Sequence, residues 1–169
     1  ELDLMGPAMK VAGDLMSIPD IIEPSDTPLG NEEHMVDGFK KAILMVAGSA
    51  VQKLMQSLAK EQEVLMNIAD MAIWTYLAES VYLRVQKKIN SQGEAACEHD
   101  IAIAKTYFYD VADKIAKSAK DAINSYAEGD EARMMLMGLK RFTKTQPFNP
   151  KAARQTIAQK LIEDGRYKF

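Results

Sequence analysis

Apolar side chains recur at steps of three and four residues along most of this chain, and that spacing places them on one face of a helix. No segment of strand length alternates apolar and polar residues between hairpin signals. Residues that favour helix are frequent, and methionine alone occurs 11 times. The pattern predicts an all-α fold. The clearest series comprises Val36, Phe39, Ile43, Val46, Ala50, Leu54 and Ser57.

Proline and glycine mark where the helices begin and end. Three prolines fall within residues 17–31, which predicts a linker or extended loop. No glycine or proline separates the stretches on either side of residue 60, but a helix over 31–91 would be far longer than is typical. We therefore expect a turn near 59–61. The predicted helices cover residues 3–16, 31–59, 61–91, 94–128, 131–143 and 150–164.

Short connections between long helices predict an antiparallel bundle of three long helices with shorter helices packed on it. We assign residues 1–30 to a short helix and Pro-rich linker, and 31–169 to the bundle domain. The third helix is apolar on most sides, so we expect a central helix covered by several neighbours. In the sixth helix we expect Ile157, Ala158 and Leu161 to be buried.

Local signals predict where several helices are capped. Asn149-Pro150 and Gly165 are expected to start and end the last helix. Asn31 is expected to cap the second helix, with Asp130 in the same role for the fifth after a terminating Gly129.

Small and flexible side chains suggest how the helices pack. Gly48, beside Ala47, would allow close approach of a neighbouring helix, so Gly48→Leu is expected to destabilise the domain by roughly 1–3 kcal/mol through overpacking. The methionines at 134–137 are expected in the core. Those within 4–16 could serve in a core stripe or on an adaptable binding surface.

Composition excludes several classes of function. The net charge of −3 is spread along the chain, whereas nucleic-acid binding would need a clustered basic face. The single cysteine, Cys97, fits a reducing compartment, and we expect a cytoplasmic protein. Asn67, Asp70, Glu79 and Ser80 interrupt the most apolar helix, which argues against a membrane span. The chain starts at Glu1 within a helix-like stretch, so we expect a piece of a longer protein.

Few residues have the spacing that catalysis or metal binding requires. Neither His34 nor His99 has a glutamate three residues before it, as di-iron helical bundles require, and both are expected at the surface. Cys97 is expected to be a small core or boundary residue. The glycines are dispersed, which gives no phosphate-binding loop. We predict no catalytic, cofactor-binding or metal-binding residue in this chain.

Asp70 lies among apolar residues and allows two interpretations. A buried carboxylate could be an acid–base group with a raised pKa. It could also form a buried or half-buried ion pair with a Lys or Arg of another helix. The ion pair is favoured, since no second catalytic group lies near Asp70 in the sequence.

Residues 61–84 resemble a stretch in the C-terminal extension of the very-long-chain acyl-CoA dehydrogenases. The pattern there is Glu-Gln, an apolar run, Ala-Asp, a small residue, Ala-Ile, then Tyr-x-Ala and a later Arg. The closing segment 148–167 is also similar to the family's last helix, and the likeness covers most of 31–166. The matching residues are Glu61, Gln62, Ala69, Asp70, Ala72, Ile73, Tyr76, Leu77, Ala78 and Arg84.

The resemblance implies that this chain is a non-catalytic helical domain that follows a dehydrogenase core. That core would bind FAD, remove two hydrogens from an acyl-CoA in fatty-acid β-oxidation, and supply the catalytic glutamate. The extra domain would support the quaternary structure of a homo-oligomeric parent, with its own upstream core as partner. By this resemblance the parent chain would be an enzyme and this fragment alone would not.

In mitochondrial members a segment near the start of the extra domain is linked with the inner membrane. The corresponding residues here are mostly acidic, which does not suit an anchor on anionic lipid, so membrane binding is not expected. They hold one basic residue, Lys10, against Asp14, Asp20, Glu23 and Asp26.

Two other functions remain open from the sequence. A stand-alone helical adaptor would have a natural chain near this length and an exposed apolar patch of several hundred Å2. An independent enzyme using Asp70 would need a pocket at that residue.

Overall fold

The computed structural model describes residues 5–16, 25 and 27–166, and this part of the chain folds into α-helices without a β-strand. The all-α prediction is confirmed. Most of the predicted linker lies outside the described residues, so the proposed boundary at residue 30 stays a prediction. The α-helices are α1 (Met5–Met16), α2 (Gly30–Leu54), α3 (Gln62–Gln92), α4 (Glu98–Tyr126), α5 (Gly129–Phe142) and α6 (Pro150–Asp164).

The ends of α6 follow from its sequence signals. The Asn149 side chain accepts a hydrogen bond from the Ala152 backbone N–H at 3.1 Å, and Pro150 occupies the first helical turn. Gly165 adopts a left-handed backbone with φ of 61°, and its N–H donates to the carbonyl of Leu161 at 3.1 Å. These contacts satisfy backbone groups that a helix end leaves unpaired.

Two other predicted caps were wrong. Leu29 occupies the capping position of α2, so Asn31 lies inside the first turn. The chain leaves α4 at Tyr126 and becomes extended at Ala127. The fifth helix therefore begins at Gly129, and Asp130 lies within it, where its carboxylate pairs with Arg133 at 3.2 Å.

The chain turns between α2 and α3 at a place that no glycine or proline marks. α2 ends at Leu54, and a 3-10 turn, Met55–Lys60, leads to α3. The predicted turn at 59–61 therefore falls at the end of this connection. Met55 has a positive φ of 46°, a conformation that costs a side-chain-bearing residue on the order of 1 kcal/mol.

The hydrophobic core lies around α4, which contacts α2, α3, α5 and α6. Phe39 of α2 and Phe108 of α4 are fully buried and stack with ring centroids 6.3 Å apart. The Tyr126 hydroxyl donates to the backbone carbonyl of Val46 at 3.0 Å and ties the end of α4 to α2. α4, and not α3 as predicted, is the central helix.

Glycines let two segments approach α2 closely. A Cβ atom built on Gly48 would lie 2.5 Å from the Cβ of Ala8 in α1, and one on Gly38 would lie 2.4 Å from the backbone oxygen of Phe142. Gly48 therefore packs against a neighbouring helix, as expected from the sequence. α1 contributes Val11 to the core, while Met9 is 67% exposed, so the described residues of this helix support neither interpretation of its methionines over the other.

Burial at the periphery differs from the sequence prediction. Within α5, Met135 is buried, but Met134 and Met137 are exposed, so 134–137 is only partly core. No residue of α6 is fully buried; Ile157 is half-buried, and Ala158 and Leu161 are exposed. α6 lies on the surface of α4 and needs only a shallow contact face, which explains why its apolar positions are not enclosed.

Candidate functional site

Asp70 is exposed on α3 and forms no ion pair or hydrogen bond within the described part of the chain. The predicted ion pair with another helix is therefore wrong. The alternative, an acid–base residue in a pocket, is equally unsupported, because the described cavity lies elsewhere. Asp70 lies on the side of α3 that no neighbouring helix covers, so its carboxylate is solvated and needs no partner.

The other candidate residues are dispersed. His34 is exposed, His99 is half-buried, and Cys97 is fully buried at the start of α4, in agreement with its predicted structural role. Within the described residues, no group of three histidine, cysteine or acidic side chains lies close enough to hold a metal ion. The assignment of no catalytic or metal residue to this chain stays a prediction.

A buried carboxylate, which the sequence analysis did not single out, lies at the start of α2. Glu32 is 7% exposed, and its Oε2 atom has no hydrogen-bond partner. It lines a cavity of about 90 Å3 together with Lys105 and Phe108 of α4 and the segment 145–148. The signal was present, because Glu32 lies four residues before Val36 and so extends the buried stripe of α2 toward its start.

Burial raises the pKa of the Glu32 carboxyl above its ordinary 4.5, because a charged carboxylate loses its hydration there; its own backbone N–H and the positive charge of Lys105 partly oppose this shift. In the unfolded chain the carboxyl ionises at its ordinary pKa. Ionisation therefore costs more in the folded state, so this group's contribution to stability is full below about pH 4.5 and is lost as pH rises through the folded pKa.

Glu32→Gln is expected to raise the melting temperature at pH 8 and to have a smaller effect near pH 4. The reason is that the amide cannot ionise and so avoids the penalty of a buried charge. Thermal melts across this pH range measure the effect. Glu63→Gln is the matched control, since Glu63 is exposed in the first turn of α3. If the melting temperatures of the Glu32→Gln variant and of the unsubstituted protein depended equally on pH, this would contradict the raised pKa of Glu32.

α3 has two apolar faces, and the bundle covers only one. The inner face holds Val64, Met71, Thr75, Ala78 and Val85, all buried against neighbouring helices. On the opposite face, Met66 is 66%, Ile73 54%, Tyr76 70% and Leu83 57% exposed; we call these four residues the outer stripe. The prediction that neighbours cover α3 on several sides was therefore wrong within the described residues.

Within the residues that the structure describes, one helical segment is long and apolar enough to cross a membrane, namely Gly30–Lys60. Core helices of soluble proteins meet the same criteria, and here Phe39, Ala42, Val46 and Ala50 of that segment are fully buried in the bundle. α3, the helix for which the sequence raised the question, does not meet them.

Comparison with known proteins assigns the family. The family model of the acyl-CoA dehydrogenase C-terminal domain matches residues 38–141, which is more than half of the chain. A probable acyl-CoA dehydrogenase of Bacillus subtilis (strain 168) is 32% identical over 168 residues. A crystal structure of an acyl-CoA dehydrogenase complexed with FAD from Bacillus anthracis is 35% identical and superposes with a TM-score of 0.92.

Both matches cover 99% of this chain but only 28% of the relative's length. The likeness thus extends over every helix described above, while most of each relative has no counterpart here. The family model spans most of α2, all of α3 and α4, and nearly all of α5, which together form the core of the bundle. This chain belongs to the acyl-CoA dehydrogenase C-terminal domain family.

Proposed function

We propose that this chain is the non-catalytic C-terminal helical domain of an FAD-dependent acyl-CoA dehydrogenase of fatty-acid β-oxidation. The observation that carries the proposal is the TM-score of 0.92, over 99% of this chain, to an acyl-CoA dehydrogenase complexed with FAD. Because the chain spans only 28% of that protein, we assign FAD and the chemistry to the upstream part of the parent. We assign no catalytic residue to this domain.

Within this family we further propose a likeness to the very-long-chain acyl-CoA dehydrogenases. Support comes from the sequence pattern of residues 61–84, including Glu61-Gln62 and Ala69-Asp70, and from the closing segment 148–167. In this proposal the domain supports the quaternary structure of a homo-oligomeric, cytoplasmic parent enzyme.

The alternative is a stand-alone helical module that binds other proteins. The outer stripe favours it, because a large exposed apolar patch marks an interaction surface. The two functions differ in the length of the natural chain. An adaptor would be close to 169 residues, whereas the chain covers 28% of the Bacillus subtilis relative, which is therefore about 3.6 times as long.

The test is the intact mass and visible absorption spectrum of the natural full-length gene product. We expect a chain several times longer than 169 residues, with flavin absorption that bleaches when an acyl-CoA substrate is added without an electron acceptor. A colourless chain near 169 residues would contradict the dehydrogenase proposal and support the adaptor. A long chain that binds flavin but is not bleached by any acyl-CoA would contradict the assigned reaction alone.

A further inference from the structure

We propose that the outer stripe of α3 is the surface on which this domain docks against the upstream part of its own polypeptide. The inference rests on the proposed function, since it requires a parent chain with an upstream core. It names a surface for that contact, whereas family membership specifies none.

The outer stripe has the spacing of a helix-packing surface. Together with Ala69 and Ser80, which are also exposed, its four residues follow each other at steps of 3, 4, 3, 4 and 3. This matches the spacing of the buried stripe on the other side of α3. The series extends over the 18 residues from Met66 to Leu83, or about 26 Å of helix. Apolar residues that were exposed by chance would not keep one face over five turns.

α3 cannot turn this stripe inward, because contacts on both sides hold its orientation. Glu79 of α3 pairs with Lys40 of α2 at 2.6 Å. On the other side, the ammonium group of Lys114 in α4 lies 4.0 Å from the ring centroid of Trp74. With Met71 fully buried between these contacts, the opposite side of the helix must face away from the bundle.

The stripe is large enough to be an interface. Four large side chains that are each more than half exposed present an apolar area on the order of several hundred Å2, which on soluble proteins marks an interaction site. No charged residue occupies the series of positions from Met66 to Leu83, and Tyr76 lies near its middle. Depletion of charge and enrichment of aromatic residues characterise the centres of protein interfaces.

The length of the relatives supports the upstream part of the same chain as the occupant. This domain matches 28% of each of the two relatives, so 72% of each relative's chain lies outside the matched part. Contact with a segment of the same chain has a high effective concentration, so a stripe of this size suffices without a separate partner. A second copy of the domain would have to bind without the advantage of a shared chain, and it is distinguished by the experiment below.

The experiment uses the full-length holoprotein with the photoreactive substitution Tyr76→p-benzoylphenylalanine. The matched control carries the same group at Met137, which is 73% exposed on α5 and so comparable with Tyr76 at 70%. A mixture of isotopically light and heavy chains separates links within one chain from links between chains. We expect Tyr76 to link to an upstream segment of the same chain and Met137 to give no such product.

A second measurement needs no substitution at the interface. Hydroxyl-radical footprinting of the unmodified holoprotein compares Met66, 66% exposed in the bundle, with Met137 as reference. Oxidation of Met66 is expected to be several-fold slower than that of Met137. Equal rates, or links only to another copy or to lipid, would overturn the docking proposal. If the docking proposal fails in this way, a long chain that contains flavin would still support the proposed function. A colourless short chain would instead contradict the proposed function and the docking proposal together.

Discussion

Replacing Phe39 by alanine is expected to lower the free energy of unfolding by about 3–5 kcal/mol, the largest effect predicted for this domain. Phe39 is fully buried in α2, and its ring stacks on that of Phe108 at a centroid distance of 6.3 Å. The loss has two parts, the transfer free energy of the ring and the cost of the cavity that the ring leaves. The cavity remains because the packed helices relax only partly around it. Urea unfolding followed by circular dichroism measures the change.

The matched control is Phe148→Ala in the segment that follows α5. Phe148 is half-buried and makes a tilted ring contact with Tyr109, with centroids 5.7 Å apart. The same chemical change is expected to cost clearly less there, because most of the space it vacates is open to solvent. Similar losses for the two variants would show that Phe39 lies in a part of the core that can collapse.

Gly48→Leu is expected to lower the free energy of unfolding by roughly 1–3 kcal/mol. Gly48 is buried, and a Cβ there would lie 2.5 Å from the Cβ of Ala8, closer than two such atoms pack. α1 must therefore shift or separate from α2, which would also remove Val11 from the core and disrupt the 3.0 Å ion pair between Asp14 and Lys41. Thermal and urea unfolding both report the loss.

Two variants make this prediction specific. Gly13→Leu is the control, since Gly13 also lies in a helix, but no atom approaches within 4 Å of its Cβ position; stability is expected to hold or rise slightly. In the double variant Gly48→Ala with Ala8→Gly, the single methyl group at this contact lies on α2 instead of α1. A favourable coupling energy is expected in this double-mutant cycle, and additive effects would show that the two residues do not meet.

Much of this fold could be predicted from local signals. The last helix begins at Asn149-Pro150 and ends at Gly165, as expected, because each residue has a conformational preference that acts without tertiary context. The end of α2 was predicted less well. Met55 has φ of 46° and ψ of −120°, a backbone conformation that a side-chain-bearing residue disfavours, so local preferences did not indicate a turn at this residue.

The candidate sites could be predicted only in part. Apolar residues around α3 suggested a helix covered by several neighbours, but within the described residues the bundle covers one face only, and helical periodicity alone does not say which face that is. The predicted burial of Asp70 failed for that reason, because the inner stripe is centred on Met71 and Thr75. Glu32 was overlooked, although it lies four residues before Val36 and so continues the buried stripe of α2 toward its start.

The position of α4 has a consequence for cooperativity. Four helices pack directly on α4, so separating it from any one of them weakens the enclosure of the others. Ile115 and Ala119 of α4 are fully buried among these helices. We therefore expect α4 to separate from its neighbours only when the whole domain unfolds. Because α6 has no fully buried residue, we expect it to unfold and refold locally while the rest of the bundle stays folded.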